Sequence, residues 1–481
     1  MPAQSPTLQQ SALSGLGLAA GLLGLVALGA LGGFALAIGE VQSLWVALSV
    51  IAAIAILVDF RIGAVLLALL LPISDTTLFP HALLGVTGLN PTNLLMAATL
   101  LSYVLRGRLV AAAGALVPKP LIWLYVVPIV VGGLIGAPNA ERIAPWFYEN
   151  QVIHFLDAAG YLRDMLFKPM FIVVIALLIG AAAARAQKPE RFIIPIALSV
   201  WVIALIEIGF VLASGIRFGL LAASNAREFF DALGMHANDL GRVFALAYAL
   251  LLFTWWETKS VGLKTFLFAT MGVLAFALLL TFSRGAFLGF LLVNALFLAW
   301  KFNAKSLGLA VLGLALSLAL LPNYVFDRVL LGFGAGGSAD AVSAGRIDGI
   351  WLPLMSQMLT SPIWGHGLGF VMWSPPMQTE AMLPVTHPHN AFLESYLDVG
   401  AVGLALILWY FVTVWRGFRS LGSNAYLSPE LRGFFQGGAA ALVCFLITGF
   451  AGGSLRPDSE FVYLWMAIGM MYGVMARRPA G

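Results

Sequence analysis

"HPHNAFLESYLDVGAVGLAL", residues 387–406, joins a cluster of polar and titratable side chains directly to the start of a long apolar run. An apolar run of about 20 residues is long enough to cross a bilayer as a helix. Polar groups are costly at membrane depth, where they need a partner or a function. The stretch therefore predicts a membrane-spanning helix with a polar entrance, and it raises the question of what the polar residues do there.

The composition of the whole chain is that of an integral membrane protein. Of the 481 residues, 61% are hydrophobic and only 10% are charged, whereas soluble proteins carry about 25% charged residues. The formal net charge of +4 is small and dispersed, which gives no reason to expect a nucleic-acid partner. The single cysteine, Cys444, excludes an intramolecular disulfide and disfavours a thiolate metal cluster.

Apolar segments recur along the chain and predict an all-α polytopic integral membrane protein with 12–14 transmembrane helices. The segments are 11–38, 43–59, 61–73, 92–105, 121–137, 169–184, 192–214, 238–256, 263–282, 284–300, 306–321, 391–415, 433–449 and 459–476. The segment 61–73 is the weakest, because it is short and ends at Pro72. The first residues lack a basic n-region, so the first segment is predicted to be retained rather than cleaved.

Basic residues in short connections predict the orientation of the chain. Of the 26 basic residues, 16 fall in every second connection, which places both chain termini in the cytoplasm. Lys168 is the only lysine among the remaining ten, which are predicted to face outward. Arginine is permanently charged, and its planar guanidinium group suits phosphate. The outward residues therefore indicate an anion-binding function on that side.

The same topology places the largest connection, residues 322–390, on the outer side. Because it contains several tryptophans and the helix-like stretch 345–361, we expect a folded loop between late helices. The predicted organisation is thus N-terminal transmembrane helices (1–230), transmembrane helices with a Ser-Arg motif (231–321), the outer loop (322–390) and C-terminal transmembrane helices (391–481).

Two stretches on the predicted outer side place arginines next to apolar segments, "TFSRGAFLGFLL" (281–292) and "AGRIDGIWLPLM" (344–355). Arg284 lies between two apolar runs, where an arginine costs about 2.5–3.5 kcal/mol on insertion and indicates function by default. It is equally compatible with a side chain that reaches the interface at a tight turn. Arg346, taken alone, is more typical of a solvated helix start, where the neighbouring Asp348 favours the helix dipole.

The opening stretch contains a predicted helix cap. Asn390 is a good N-cap for a helix that begins near Ala391, and Glu394 is expected in its first turn, where an acid is stabilised. Capping leaves His389 unexplained. A lone histidine is more often structural than catalytic, but the topology puts His389 on the same side as Arg284 and Arg346.

A further stretch, "FDALGMHANDLGRVFALAYALLL" (230–252), begins another span. It places His236, Asn238, Asp239 and Arg242 at the predicted outer end, with Asn238 as the expected cap. No compact ligand spacing such as H-E-x-x-H is present, so we predict no metal site.

Together these four stretches resemble the O-antigen ligase family of bacterial membrane glycosyltransferases, which also includes O-antigen and exopolysaccharide polymerases. The resemblance covers roughly residues 230–415 and depends on the order, the spacing and the shared outer face of the motifs. It implies transfer of a glycan from an undecaprenyl-diphosphate carrier to a hydroxyl acceptor at the periplasmic face. It implies no nucleotide sugar, no metal and no other cofactor.

Carried over residue by residue, the resemblance assigns catalysis to His389 and diphosphate binding to Arg284 and Arg346. The supporting residues are then predicted to be Asn390, Glu394, Arg242 and His387. His387 is a second histidine in the motif, and whether it shares the role of His389 stays open. The implied partners are the bilayer, the undecaprenyl-diphosphate-linked donor and a lipid A core or glycan acceptor. The implied location is the bacterial inner (cytoplasmic) membrane, with the active site facing the periplasm.

Two other functions stay open at this point. A transporter or flippase for lipid-linked glycans needs polar groups along a path through the bilayer, whereas here they cluster on one side and only Glu207 lies deep in a predicted span. A structural subunit of an export complex is the third reading. Within the resemblance, the motifs do not separate a ligase from a polymerase, because both use the same donor.

Overall fold

The computed structural model describes residues 41–83, 86–107, 117–221, 224–320, 322–329, 338, 340 and 343–477. The predicted segment 11–38 lies outside these residues. The described residues belong to two compact units. The first contains 41–70, 77–83 and 86–107, and the second contains 71–76 and everything described from residue 117 onward.

The first unit consists of helices and one very short hairpin. The helices are α1 (Val41–Val58), α2 (Phe60–Leu70) and α3 (Pro91–Gly107), and strands β1 (Ala82–Leu83) and β2 (Val86–Thr87) pair antiparallel. Asn90 precedes α3 and accepts a hydrogen bond from the backbone N–H of Asn93 at 2.8 Å, which satisfies one of the donors at the helix start.

All of the regular secondary structure in the described part of the second unit is helical. Its long helices are α4 (Leu121–Arg142), α5 (Ala158–Arg185), α6 (Pro189–Ser214), α7 (Ala237–Glu257), α8 (Val261–Leu280), α9 (Arg284–Trp300), α10 (Ala304–Leu320), α11 (Ala391–Gly422), α12 (Pro429–Ala451) and α13 (Val462–Met475). The short helical segments are Leu71–Ile73, Pro145–Glu149, Phe218–Leu221, Ser224–Leu233, Asn323–Val329, Ile347–Trp351, Leu352–Met355, Ser356–Leu359, Phe370–Trp373, Pro375–Gln378 and Ser459–Phe461. The predicted helical stretch 345–361 corresponds to three of these short segments.

Seven helices of the described part are long and apolar enough to cross a membrane, namely α4, α5, α6, α7, α8, α11 and α12. Shorter apolar helices are Leu44–Val58, Phe60–Ile73, Pro91–Leu105, Arg284–Trp300 and Ala304–Ala315. Every predicted apolar segment after the first coincides with a helix. The prediction of an all-helical, multi-pass membrane protein is confirmed, and the total of 12–14 spans stays a prediction.

The core of the second unit depends on helices that approach each other closely through glycine. A Cβ atom at Gly437 of α12 would lie 2.6 Å from the carbonyl oxygen of Ala249 in α7. A Cβ atom at Gly469 of α13 would lie 1.9 Å from the carbonyl oxygen of Ala176 in α5. Small residues allow the two backbones to approach closely. In a membrane the hydrophobic effect does not drive helices together, so the close packing between them contributes to their association instead. The described side chains along α7 are mostly buried, so α7 lies at the centre of this unit.

The helix α11 is interrupted at Gly400, where a segment of the predicted loop pairs with its backbone. Gly400 has φ 70° and ψ −178°, a conformation that essentially only glycine adopts. The backbone bonds are Ala401 N–H to Pro362 O (2.8 Å), Val402 N–H to Ile363 O (3.3 Å), His366 N–H to Leu397 O (2.8 Å) and Gly367 N–H to Asp398 O (2.9 Å). These bonds fix residues 362–367 relative to α11, so this part of the loop is folded, as predicted.

We expect Gly400→Ala to destabilise the protein by more than about 3 kcal/mol, because it adds backbone strain and a collision. The new Cβ would lie 2.2 Å from the carbonyl oxygen of Ile363. Thermal unfolding in detergent measures the effect. Gly209→Ala in α6 is the matched control, since a Cβ there meets nothing within 4 Å. Equal melting temperatures for the two variants would contradict the assignment of the break.

Candidate functional site

Three helix starts and one helix end meet at one place in the second unit. The hydroxyl of Ser283, at the start of α9, donates to the side-chain oxygen of Asn238 in the first turn of α7 at 2.8 Å. The guanidinium group of Arg346 donates to the carbonyl oxygen of Ala451 at the end of α12. The indole N–H of Trp351 donates to the carbonyl oxygen of Pro388 at 2.7 Å, just before α11. Because Arg346 also interacts with the charges of Arg242 and Arg284, the structure brings together the four stretches singled out in the sequence.

The Ser-Arg turn sets the direction of Arg284. Ser283 caps α9 by accepting from the backbone N–H of Ala286 at 3.4 Å, and Arg284 is the first residue of the helix. Arg284 is close enough to Arg346 for its charge to lower the pKa of that residue. The tight turn expected from the sequence is therefore present, and it points Arg284 into the group of basic residues.

Arg346 lies at the start of the helical turn Ile347–Trp351 and is partly buried. Its backbone N–H donates to the hydroxyl of Ser343 at 3.2 Å. Burial, with the charges of Arg242 and Arg284, lowers the pKa of Arg346 to about 10. Arg346 therefore stays protonated at neutral pH. Its guanidinium group and those of Arg242 and Arg284 place three positive charges in one small region. Such a like-charge cluster is unfavourable by itself and favours a bound anion.

The two histidines of the opening stretch contact each other. The backbone N–H of His389 donates to Nδ1 of His387 at 3.3 Å, and the ring centroids are 4.2 Å apart. A ring nitrogen that accepts a hydrogen bond carries no proton, so the neutral ring of His387 has its proton on Nε2. The structure therefore distinguishes the two residues, which the sequence could not do.

The surroundings of His389 strongly disfavour a positive charge on its imidazole ring. Burial, together with the charges of His387, Arg346, Arg242 and His236, lowers its pKa to about 2. Its imidazole is therefore neutral at physiological pH and is able to accept a proton. Burial also lowers the pKa of His387, although the negative charge of Glu394 opposes this shift.

Backbone strain is concentrated in these motifs. Five described residues other than glycine have positive φ, and three of them lie in the motifs of Arg284, Arg346 and His389. They are Phe282 (φ 46°), Ala344 (φ 61°) and His389 itself (φ 52°). Such conformations cost free energy, persist only where the surrounding structure enforces them, and cluster at functional sites.

Arg242 is held by a carboxylate from a distant part of the chain. It forms an ion pair with Glu460 and lies 3.6 Å from Asp239 in its own helix. Gly453 allows the approach: it has φ 73°, and a Cβ there would lie 2.9 Å from both Arg242 and Glu460. Burial raises the pKa of Glu460, and the charge of Arg242 opposes that shift.

Glu394 also has a partner that the sequence did not suggest. Its carboxylate forms an ion pair with Arg456 at 2.8 Å, and its side chain is almost fully buried. Burial lowers the pKa of Arg456, but the carboxylates of Glu394 and Asp398 outweigh this and raise it above its ordinary value. Glu394 therefore holds a buried cation as well as lying in the first turn of α11.

A cavity of about 260 Å³ opens next to these pairs. Its charged lining comes mainly from Asp239, Arg242, Glu394, Arg456, Asp458 and Glu460, and His387 also lines it. The cavity therefore adjoins the histidine pair and carries both acidic and basic groups.

Two cap predictions had different outcomes. Asn390 caps α11 by accepting from the backbone N–H groups of Phe392 and Leu393, each at 3.1 Å, as predicted. The prediction that Asn238 caps α7 is wrong. His236 takes that place and accepts from the backbone N–H of Asn238 at 3.1 Å. The side chain of Asn238 binds Ser283 instead, because the start of α9 lies beside it.

The segment "GGSLRPDSEF" (452–461), which supplies Arg456, Asp458 and Glu460, was not predicted to belong to the site. A signal was available: three charged residues at every second position interrupt a short connection between two apolar segments. The predicted topology also puts this connection on the outer side, with the other motifs.

Comparison with known families gives one match, and it falls on this site. Residues 269–408 match the model of the O-antigen ligase family. The matched segment contains Arg284, Arg346 and His389, so the resemblance seen in the motifs is confirmed over these residues. It indicates a function of the O-antigen ligase or polymerase type. No curated protein compared with the chain matches it.

We expect Trp351→Phe to loosen the histidine segment, because phenylalanine cannot donate to Pro388. A hydrogen bond of this kind contributes about 1 kcal/mol, or roughly a fivefold change in local opening. Hydrogen–deuterium exchange of a peptide that spans 384–393 measures it. Trp364→Phe is the control, since Trp364 lies in the same loop with its side chain 61% exposed. Exchange that is unchanged in both variants would contradict this role.

Proposed function

We propose that the protein transfers a glycan from an undecaprenyl-diphosphate carrier to a hydroxyl acceptor at the periplasmic face of the bacterial inner membrane. It would act as an O-antigen ligase or a surface-polysaccharide polymerase. One observation carries this proposal. Arg346 and Arg242 lie close to the neutral ring of His389, and Arg284 lies close to Arg346, at the meeting point of distant segments.

The arginines suit the leaving group of this reaction. When the sugar is transferred, the undecaprenyl diphosphate gains negative charge, which fixed cations stabilise most when they are positioned beforehand. Guanidinium groups bind phosphate oxygens through two parallel hydrogen bonds. Burial lowers the pKa of Arg346, and the positive charges of Arg242 and Arg284 lower it further; a diphosphate would relieve the repulsion among these charges. We therefore assign Arg284 and Arg346 to diphosphate binding.

His389 suits the role of general base. The oxygen of the acceptor hydroxyl attacks the anomeric carbon of the carrier-linked sugar, and the bond from that carbon to the diphosphate oxygen breaks. Undecaprenyl diphosphate leaves with the bonding electrons, and the hydroxyl proton passes to His389. Burial and neighbouring cations lower the pKa of His389 to about 2, so its imidazole alone is a weak base. The negative diphosphate raises the pKa of His389 toward its ordinary value of about 6.5, so donor binding activates the base.

His387 has a different role in this proposal. Its Nδ1 already accepts from the backbone of His389, which leaves an N–H on Nε2 and no free ring acceptor. We assign it to positioning His389, together with the cap at Asn390. Glu394 and Arg242 act through their ion pairs with Arg456 and Glu460. The proposed reaction uses no metal and no cofactor.

The topology supports placing this site on the periplasmic side, with both chain termini in the cytoplasm. The polar groups gather where helices begin and end rather than along a path through them. That arrangement favours transfer over transport of the lipid-linked glycan.

We expect His389→Ala to lower transfer at least 100-fold, since a positioned base contributes about 10²–10⁴-fold. Cells that lack the chromosomal gene receive each variant on a plasmid, and surface glycan is separated on a gel. The exposed His81 provides the control His81→Ala, which should restore wild-type glycan. Both variants should reach the membrane in equal amounts. Near-normal glycan from the His389 variant would overturn the assignment.

The same deletion strain separates the two forms of the activity. A ligase defect leaves long glycan chains that are not joined to their acceptor, whereas a polymerase defect leaves single repeats. Unchanged surface glycan in the strain would contradict the proposed function altogether.

We expect Arg284→Lys to reduce kcat/KM for the lipid-linked donor at least tenfold, even though the charge is kept. Lysine is a point charge and cannot make the planar, two-bond contact with phosphate. Turnover by the purified protein in nanodiscs measures this effect. Arg142→Lys is the matched control, because Arg142 is exposed and its side chain binds a neighbouring asparagine, Asn139, away from the site residues. Equal values for the wild type and the Arg284 variant would show that Arg284 does not bind phosphate.

A further inference from the structure

Large apolar side chains are exposed along the helical stretch 347–359 and the turn that follows it. Each of these side chains is more than half exposed, and that of Leu359 is 82% exposed. The spacing of the first three puts them on one side of a helix. We call this set the apolar strip, and its members are Leu352, Met355, Leu359, Ile363 and Trp364. A contiguous exposed patch of this kind marks a surface that another apolar phase covers.

The apolar strip lies in a part of the chain that has no formal charge. Residues 349–379 contain no Asp, Glu, Lys or Arg, whereas about 25% of the residues in soluble proteins are charged. A loop surrounded by water on all sides would be expected to carry charged side chains over this length. The composition therefore indicates that one side of this part of the loop faces an apolar medium.

The hydroxyl groups next to the apolar strip have partners within the protein. The hydroxyl of Thr360 donates to the carbonyl oxygen of Gln357 at 2.7 Å. The hydroxyl of Ser361 donates to the carbonyl oxygen of Gly365 at 2.7 Å, and that of Ser356 donates to another backbone carbonyl at 3.2 Å. Polar groups at the edge of a lipid phase need such internal partners, because acyl chains offer none.

The pairing with α11 places the apolar strip at the level of the membrane. Between Asp398 and Arg416, residues 399–415 of α11 carry no charge. At a rise of about 1.5 Å per residue this section is about 26 Å long, close to the hydrocarbon thickness of about 30 Å. Its residues Ala401 and Val402, which bind the backbone of 362–363, lie near the Asp398 end. The segment 362–364 therefore lies at one boundary of the hydrocarbon.

The apolar strip also continues an exposed surface of α11. Val402, which is bonded to Ile363 of the strip, is itself exposed, and so is Trp409 one face farther along the same apolar section. Exposed apolar side chains on a membrane-spanning helix contact lipid. Because the strip begins where this surface ends, the same lipid can cover both.

We propose that the bilayer covers the apolar strip, so that the helical stretch 347–359 lies on the membrane with its apolar side among the acyl chains. Helices of this kind insert about 5–10 Å below the headgroup boundary. This inference goes beyond the proposed function and does not depend on it. Arg346 directly precedes the stretch, so the contact with lipid would hold its guanidinium group at the level of the lipid phosphates.

Spin labelling of the full chain in nanodiscs tests this inference. Cys444 is first replaced by alanine, and a nitroxide is then attached to single cysteines introduced one at a time. The variants within the strip are Met355→Cys, Leu359→Cys and Ile363→Cys. Trp409→Cys is the lipid control, since Trp409 is 62% exposed within the apolar section of α11. Thr379→Cys is the water control, since Thr379 is exposed in the same loop beside the charged Glu380.

The measurement compares how often each nitroxide collides with oxygen, which concentrates in acyl chains, and with a water-soluble nickel chelate. We expect the ratio of oxygen to nickel collisions at the strip positions to exceed the ratio at Thr379 at least about fivefold, because a depth of about 5–10 Å shields the label from water. The ratio at Trp409 should be raised in the same direction.

Trp364 gives a second measurement without a label. The emission that is lost in Trp364→Phe should be quenched by brominated acyl chains and not by aqueous iodide. This measurement decides the matter if a label lowers the melting temperature.

Two outcomes would overturn the inference. A ratio equal to that of Thr379 at two or more strip positions, or quenching of Trp364 by iodide alone, would show that the strip faces water. Low collision rates with both reagents at these positions would show that protein, such as a second copy of the chain, covers the strip instead of lipid.

Discussion

The ion pair between Arg456 and Glu394 is buried at the entrance of α11, and the polar end of the second unit is arranged around it. A buried charge is costly unless a partner compensates it, and removal of one partner of such a pair destabilises a protein by about 3–5 kcal/mol. Arg242 and Glu460 form a second pair of this kind close by. Because one partner of each pair comes from residues 452–461, that short connection holds α7 and α11 in register.

The two ion pairs do not neutralise the other positive charges of the site, those of Arg284 and Arg346. Arg346 keeps its proton although burial and neighbouring cations lower its pKa to about 10, and His389 stays neutral because the same field lowers its own pKa. This arrangement of charges costs free energy, and so do the left-handed backbone conformations in each motif. The packing of the rest of the fold compensates both. A site that stores unfavourable positive charge binds an anion more tightly than a neutral site does, since the anion relieves that repulsion. The charge pattern of the site and the proposed binding of a diphosphate therefore have one cause.

Local sequence patterns predicted the helices and the cap at Asn390, because these features depend on hydrophobic periodicity and on residues close to one another in the chain. The expectation that Arg284, Arg346 and His389 share one side came from the predicted topology and the family resemblance. The partners of Glu394 and Arg242 were missed because they lie 62 and 218 residues away. The break at Gly400 was missed because "DVGAVG" has the composition of an uninterrupted span, and the break exists only where residues 362–363 pair with it. Asn238 was assigned as a cap because its neighbour across the bundle, Ser283, is not visible in the local pattern.

The extent of the family match bears on how one donor chemistry serves different acceptors. The matched segment, 269–408, contains Arg284, Arg346 and both histidines. Most of the charged lining of the cavity comes from residues outside it, namely Asp239, Arg242, Arg456, Asp458 and Glu460. In the proposed reaction the matched segment handles the carrier diphosphate and the proton, which ligases and polymerases share. The charged lining of the cavity lies mainly before and after that segment, so it can differ without changing how the leaving group is stabilised.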